Sequence, residues 1–399
     1  MIEQVDKTFG STAGKWLHGL LDSLATGSLK MTTPGGAIVE FNGAQPGPNA
    51  EIIIHHWRAV RRMLTRGDIG FAEGYIAGDW SSNDVTALLE LAALNRETIE
   101  ARVRGNGVVR LYERLRHLMR ANTKRGSRRN ILAHYDLGND FYREWLDPTM
   151  TYSSGIYHHP NDPLDAAQLR KYERLAQRLN PRPDQHILEI GCGWGGFATY
   201  LAGTYGCRVT GITLSNEQHA FATERVAQAG LSDRVDIRIE DYRDVQGTFD
   251  GIASIEMFEA VGENNWRRYF DTVRSRLADH GTAALQVITI DETRFDDYRR
   301  NADFIQRYIF PGGMLPAPSV FRAHAEEAGL KLLDSFFFGI SYAKTIAEWQ
   351  ARFRERWPVI EKYGFDDRFR RVWEYYLAYC QAGFSTGGIN VGQFVLTRS

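Results

Sequence analysis

The sequence predicts an α/β protein, with a parallel, doubly wound sheet in its larger C-terminal part and a smaller α+β unit in front of it. Three observations lead there. Ile187, Leu188 and Ile190 read as a buried strand, a glycine turn runs from Gly191 to Gly196, and helical spacing follows over 197–205. Strand-like and helix-like stretches alternate from residue 131 to about 290, the mark of parallel strands joined by crossover helices. The composition, 43% hydrophobic and 24% charged over 399 residues, is that of a globular chain long enough for one large or two ordinary domains.

Taken in order, the chain opens with Phe9, Trp16, Leu17, Leu20, Leu21 and Leu24, spaced as an amphipathic helix. A strand pair is expected over 29–31 and 37–41, then a strand over 52–54. Helices are expected over 60–64 and 85–94, the second capped by Ser81-Ser82-Asn83-Asp84. The stretch 70–80 reads as a glycine-rich, aromatic connection. From Arg102 to Arg129 there are ten Lys or Arg residues against one acid, Glu113, with Leu111, Leu115 and Leu118 at near-helical spacing. That stretch is either a solvated connector or a basic amphipathic helix for an anionic membrane surface. Nucleic acid is the less expected partner of that stretch, because the rest of the chain is not basic.

The domain boundary falls in the polar stretch 121–130, dividing the chain into 1–122 and 123–399. In the second part, helices are expected over 164–179, 215–229 and 263–278, and strands over 207–212, 235–239, 249–254 and 282–288. Aromatic-rich helical stretches at 294–309, 318–328, 345–361 and 366–383 then interrupt the sheet as an insertion over about 294–383. Strands at 330–338 and 388–397 finish the sheet as an antiparallel pair. The three cysteines, Cys192, Cys207 and Cys380, fit a reducing compartment with no disulfide framework. There is no metal-ligand spacing, no signal-peptide core and no apolar run near the ~18 residues of a membrane span.

The glycine turn formally fits G-x-G-x-x-G through Gly191, Gly193 and Gly196. Dinucleotide enzymes place an acid about 20 residues further on. Here the second strand runs into Thr213-Leu214-Ser215, with no carboxylate. Glu189, inside an E-x-G-x-G pattern, instead resembles the S-adenosylmethionine (SAM) methyltransferase motif, which leaves NAD chemistry as the weakest reading.

The ordered set HYDLGNDFY, MTYSSGIY, EIGCGWGG, GITLSNEQ, DYR, EMFEAVG, QRYIFPGG and VGQFVL resembles the cyclopropane-fatty-acyl-phospholipid synthases and mycolic acid methyltransferases over about 131–399. The first part resembles, more loosely, the extra N-terminal domain of the phospholipid enzymes. The resemblance implies a class I SAM-dependent methyltransferase fold, Rossmann-like, with an antiparallel final strand and a helical lipid-pocket insertion. It implies SAM contacts from Tyr152, Ser153, Glu189, Gly191, Gly193, Thr213, Leu214, Gln218, Asp241 and Tyr242, with Glu256 at the sulfonium end. Singly, several have plainer readings: Thr213 and Ser215 suit a helix cap, and Gln218 a solvated helix position.

The implied reaction transfers a methyl from SAM to a carbon–carbon double bond of an acyl chain. The attack leaves a positive centre on the chain, which a dry, aromatic site stabilises. Phe258, Tyr269, Phe304, Tyr308, Phe310, Tyr342 and Trp349 are candidates, although core packing is the plainer role for most of them. A base then removes a proton, giving either a cyclopropane or a methyl-branched or methylene product. In the ring-forming family that base is a bound bicarbonate. Here the resemblance assigns its holders to Glu259, Tyr342 and Ile288, while Ser154 stands where the family has cysteine and Gln286 where it has histidine. These two departures weaken bicarbonate binding without excluding it, since Gln and Ser can still hydrogen-bond an anion, and they lean toward methyl branching with a ring left open. The expectation is therefore a cytoplasmic enzyme, peripheral on the inner face of the membrane, acting on phospholipid acyl chains, with a homodimer left open. A small-molecule methyltransferase and a non-catalytic lipid-binding relative are the alternatives.

Overall fold

The computed structural model describes residues 12–99 and 137–399. The basic stretch 102–129, Phe9 and the opening of the HYDLGND motif lie outside the described residues. In chain order the elements are α1 (Thr12–Leu21), β1 (Thr26–Thr32), β2 (Ile38–Asn42), β3 (Gln45–Ile54), α2 (Arg58–Ile76), β4 (Trp80–Ser81), α3 (Val85–Leu94) and α4 (Asn139–Trp145). Next come α5 (Leu164–Leu179), β5 (His186–Ile190), α6 (Gly196–Tyr205), β6 (Arg208–Thr213), α7 (Asn216–Gln228), β7 (Val235–Ile239) and β8 (Phe249–Ile255). They are followed by α8 (Phe258–Val261), α9 (Trp266–Arg276), β9 (Leu277–Ile290), α10 (Phe295–Arg300), α11 (Phe304–Tyr308) and α12 (Pro318–Glu327). The chain ends with β10 (Leu330–Phe337), α13 (Gly339–Ile360), α14 (Asp367–Ser385) and β11 (Ile389–Arg398).

The chain divides into two compact units: residues 1–125 with 365–386, and residues 126–364 with 387–399. In the first, a four-stranded sheet of order β2-β1-β3-β4 packs with α3. Its apolar face is read directly from alternation in β1 and β3, where Leu29, Met31, Ile52 and Ile54 are buried. α3 starts where expected, with the Asp84 side chain accepting from the Ala87 N–H at 2.9 Å.

Two parts of this unit differ from the sequence expectation. The stretch 70–80 is largely helical, because α2 continues to Ile76 through a break at Gly67, whose φ is 61°. Phe71 and Tyr75 project from that extension onto the buried Trp80 ring, at 4.3 and 4.9 Å between centroids. The aromatic packing overrides the low helix propensity of Gly70 and Gly74. The stretch expected as the end of the lipid-pocket insertion, 366–383, forms α14, which packs on α3 and α2 in this first unit. Tyr375, fully buried, meets Tyr75 and Trp80, and the Ser385 hydroxyl donates to Glu90 at 2.5 Å. Helical periodicity identifies such a segment but not the partner that covers it.

The second unit is built on a seven-stranded sheet of order β10-β11-β9-β8-β5-β6-β7. β9, β8, β5, β6 and β7 pair in parallel, while β11 is antiparallel to both β9 and β10. This is the class I SAM methyltransferase arrangement, with the expected antiparallel closing strands. One face of the sheet carries Phe258, Trp266, Tyr269, Phe270 and Phe321. The other carries Leu175, Phe197, Leu201 and Val226. With both faces covered, β5 and β8 read as nearly unbroken apolar runs. Phe258 and Tyr269 thus belong to the core, as the plainer reading of these aromatics has it. The stretch expected as one helix over 294–309 is two short ones, α10 and α11. The second starts afresh at Asp303, whose side chain and that of Gln306 form a reciprocal cap. Among the described residues, no helix is long and apolar enough to cross a membrane.

Candidate active site

The sheet order reverses between β8 and β5, and the carboxyl ends of these strands form the crevice where ligands bind in open α/β sheets. β5 ends in a turn that needs glycine: Gly191, Gly193 and Gly195 have φ of 80°, 52° and 78°. The turn is latched to the next strand by the Gly191 and Cys192 N–H groups, which donate to the Ile212 carbonyl at 3.0 and 2.9 Å. A Cβ on Gly191 would come within 2.8 Å of the Met257 side chain, whereas one on Gly193 would meet nothing within 4 Å. Gly193 therefore borders open space. Glu189, 2% exposed, has its Oε2 buried with no hydrogen-bond partner. Burial pushes its carboxyl up to about 8, against the pull of the Ala198 N–H and Lys171.

Beyond β6, the Thr213 hydroxyl donates to Gln218 Oε1 at 2.8 Å, and Ser215 caps α7. Gln218 is buried, not the solvated helix residue of its plainer reading. Leu214 is exposed beside this pair. After β7, the Asp241 carboxylate is held by both Nε and NH2 of Arg243, at 2.8 and 2.5 Å, and the Tyr242 ring meets Tyr269 edge-on. An open glycine turn, an orphaned buried carboxyl oxygen and a polar pair at the end of β6 suit SAM, with the backbone of 191–193, Glu189, Thr213 and Gln218 available to hold it.

After β8 stand two carboxylates. Both Glu256 and Glu259 are deeply set, yet each keeps part of its surface accessible, as cavity-lining residues do. Glu256 lies in the left-handed region, at φ 51°. Non-glycine residues rarely adopt this conformation, and it costs on the order of 1–3 kcal/mol. In return its carboxylate collects three donors from three elements. Oε1 accepts from the Ser154 N–H at 2.9 Å and from Gln286 Nε2 at 2.7 Å, and Oε2 accepts from the Tyr342 hydroxyl at 2.5 Å. Glu259 Oε1 accepts from the Ile288 N–H at 2.5 Å, and its Oε2 is buried without a partner. Burial, then the nearby Glu256 charge, pushes the Glu259 carboxyl up to about 8. Burial also raises Glu256, while Tyr342, the Ser154 N–H, Lys171 and Gln286 pull it back.

The sequence reading grouped Tyr342, Gln286 and Ser154 with Glu259. The structure brings all three onto Glu256 instead, and leaves Glu259 with Ile288. Ser154 enters through its backbone alone, since its hydroxyl donates to the Gly155 carbonyl at 2.9 Å. The donors that would hold bicarbonate are thus engaged by carboxylates of the chain itself.

Two residues of this site carry no mark in the motifs. Lys171, fully buried on α5, donates through Nζ to Ser153 Oγ and Gln168 Oε1, both at 2.7 Å. Burial lowers its ammonium to about 7, against the pull of Glu256. Gln393 on β11 donates to Gln286 Oε1 at 3.1 Å and orients that amide toward Glu256. A signal for Lys171 existed: it lies four residues from both Ala167 and Leu175 on the buried stripe of α5. Gln393 sits among buried residues of a closing strand, where no local pattern marks it.

The aromatic wall is assembled from α4, α13 and the 150–155 segment. Tyr152 packs on Trp349 and Trp145, each at 5.4 Å between centroids, and Tyr342 meets Trp349 at 6.0 Å. Tyr142 connects this group to Trp194 of the glycine turn, at 5.0 Å. Phe304 and Tyr308 stack on each other at 5.3 Å.

Comparison with known proteins agrees with this geometry. The profile of the mycolic acid cyclopropane synthetase family matches residues 122–394. The tuberculostearic acid methyltransferase of Mycobacterium tuberculosis is 38% identical over 376 residues, 89% of this chain and 85% of its own. The cyclopropane-fatty-acyl-phospholipid synthase of Escherichia coli is 34% identical over 369 residues, 90% of each chain. Among solved structures, a mycolic acid cyclopropane synthase complexed with SAH and CTAB superposes with a TM-score of 0.63 at 28% identity, covering 67% of this chain and 97% of its own. The chain belongs to the mycolic acid cyclopropane synthetase family and is a SAM-dependent methyltransferase.

Proposed function

We propose that this enzyme adds a methyl carbon from SAM to the double bond of an unsaturated acyl chain in a membrane phospholipid, and that its product is methyl-branched or methylene-bearing, not a ring. The observation that carries the reading is the juxtaposition of an aromatic wall, Tyr152, Trp349 and Tyr342, with two deep carboxylates after β8. Methylation of an amine or hydroxyl needs no such wall, because its nucleophile already carries a lone pair.

SAM, when bound, supplies an electrophilic methyl. The alkene is a weak nucleophile, and its attack leaves a positive centre on the adjacent chain carbon. Aromatic faces stabilise such a centre by about 0.5–2 kcal/mol each when water is excluded. The residues of the wall also deny the cation water, which would otherwise trap it as an alcohol. Proton loss to a nearby carboxylate then completes the addition. The substitutions at Ser154 and Gln286 support a branched product. The tuberculostearic acid methyltransferase named above, a fatty-chain methyltransferase, is in keeping with it.

The lipid is the reason to expect peripheral association with the inner face of the membrane, through the N-terminal part and the basic stretch 102–129. Phospholipids from cells expressing the protein should gain the mass of one methylene per modified chain. Hydrogenation followed by chain fragmentation separates a ring from a methylated alkene. Unmodified acyl chains beside a methylated small molecule would overturn the reading. Binding to anionic vesicles should weaken as salt rises, since exposed charges are screened beyond about 10 Å at 0.1 M. Equal binding to neutral and anionic vesicles would reduce the basic stretch to a connector.

A further inference from the structure

We propose that Glu256 is the proton acceptor of the closing step, a carboxylate of the chain itself standing in the place where the family resemblance would put bicarbonate. The inference deepens the reading above and rests on it for the identity of the substrate. An external oxyanion at this position would need the donors that the structure commits elsewhere. The Ser154 N–H, the Gln286 amide and the Tyr342 hydroxyl all point at Glu256, and the Ile288 N–H points at Glu259. Bicarbonate therefore does not fit this chain.

The arrangement has the marks of a built anion site. Its donors come from the 150–155 segment, from β9 and from α13. Gln286 is 1% exposed and is fixed in turn by Gln393. Glu256 accepts its donors at the expense of a left-handed backbone. Carboxylates that accept several hydrogen bonds keep their charge more readily than bare ones. The charged and titratable groups that face Glu256 are Lys171, Glu259 and Tyr342. Lys171 favours its ionised form, and Glu259, with one donor and an orphaned oxygen, yields the charge to it. Of the two oxygens of Glu256, Oε1 accepts two hydrogen bonds and Oε2 one, so Oε2 retains an acceptor site.

The step balances within the site. The alkene electron pair forms a bond to the methyl carbon, the sulfur–carbon bond breaks, and the adjacent chain carbon becomes cationic. Loss of a proton from the chain carbon beyond the cation gives a methyl-branched alkene. A hydride shift from the methylated carbon, then loss of a methyl proton, gives a methylene. In either case the C–H electron pair becomes the new π bond and the proton bonds to Glu256 Oε2. No oxidant or reductant enters.

The test uses the full-length protein, SAM, vesicles of monounsaturated phosphatidylglycerol and phosphatidylethanolamine, and buffer freed of carbon dioxide. Wild-type turnover should be the same with and without added bicarbonate, and calorimetry should detect no bicarbonate binding. Glu256→Gln should bind SAM normally and lose at least about a hundredfold in turnover, the low end for a positioned proton transfer. Glu256→Gly relieves the left-handed backbone and empties the donor set. It should bind bicarbonate saturably and recover turnover with it. Bicarbonate dependence or binding in the wild type, or near-wild-type turnover for Glu256→Gln, would overturn the proposal. If no acyl chain is modified while the wild type ignores bicarbonate and Glu256→Gly binds it, the substrate reading fails and the replacement of the anion stands.

Discussion

Two turns at the carboxyl ends of neighbouring strands do different work in this molecule. After β5, the turn is built by one contiguous segment, Glu189 to Gly196, whose positive φ angles belong to glycines. After β8, the turn is built with partners from distant segments. Glu256 draws on Ser154, Gln286 and Tyr342, and the single positive φ of that turn outside glycine belongs to Glu256 itself. The first turn borders open space at Gly193, and its conformation costs little because glycines adopt it. The second holds buried charge in a strained conformation, and its stability depends on partners supplied by the rest of the fold.

The comparison is broken most forcefully at Lys171. If the second turn depends on remote compensation, Lys171→Met, which leaves the buried Ser153 and Gln168 acceptors unpaired and removes the positive charge that favours ionised Glu256, should destabilise the protein by about 1–3 kcal/mol. Thermal unfolding measures this, and an unchanged Tm would show that Glu256 does not need the lysine.

A pH comparison sharpens the contrast between the two carboxylates. The Glu259 carboxyl is raised in the folded state to about 8 from an ordinary value of 4.5. Its folded-state preference for the proton therefore stabilises the protein fully below pH 4.5 and is lost as pH rises toward 8. Glu259→Gln keeps an acceptor for the Ile288 N–H and carries no charge. Relative to the wild type, it should gain more than about 1.4 kcal/mol, the worth of one pKa unit, between pH 5 and pH 8. Parallel stability curves across that range would show that Glu259 is ionised in the fold.

The glycine turn is tested by Gly193→Val. At φ 52° a branched side chain is strained and would project into the open space beside the turn. The ~1–2 kcal/mol of a left-handed residue should appear as lost stability, and SAM affinity should fall by about tenfold or more, roughly 1.4 kcal/mol, because the side chain fills the space beside the turn. Unchanged affinity would make the turn purely structural. The smallest effect is expected from a cap in the first unit. Asp84→Ala removes the cap of α3 and should cost about 1 kcal/mol with SAM affinity unchanged. A change in SAM affinity would show that the two turns are not self-sufficient.

How much was legible in the sequence follows the same division. The strand, glycine turn and helix at 186–205, the Asp84 and Ser215 caps and the antiparallel closing strands could all be read locally. Each rests on neighbours within a few residues or on a simple period. The extent of α2 through Gly70, the placement of α14 beside α3, and the grouping of Tyr342, Gln286 and the Ser154 N–H on Glu256 could not. Each of these depends on which surface a segment meets.

By itself the sequence determined the sheet and the glycine turn, because glycine conformation, helix caps and hydrophobic period are properties of adjacent residues, while its ordered motifs carried the family resemblance. Which carboxylate receives Tyr342, Gln286 and the Ser154 N–H was decided only in the tertiary structure. Glu256 and Glu259 are three residues apart in one apolar context, and their sequence surroundings do not distinguish them. The distinction arises where β9, α13 and the 150–155 segment converge. A buried carboxylate holds its charge only where donors from other elements meet it, and that convergence is a property of the whole fold.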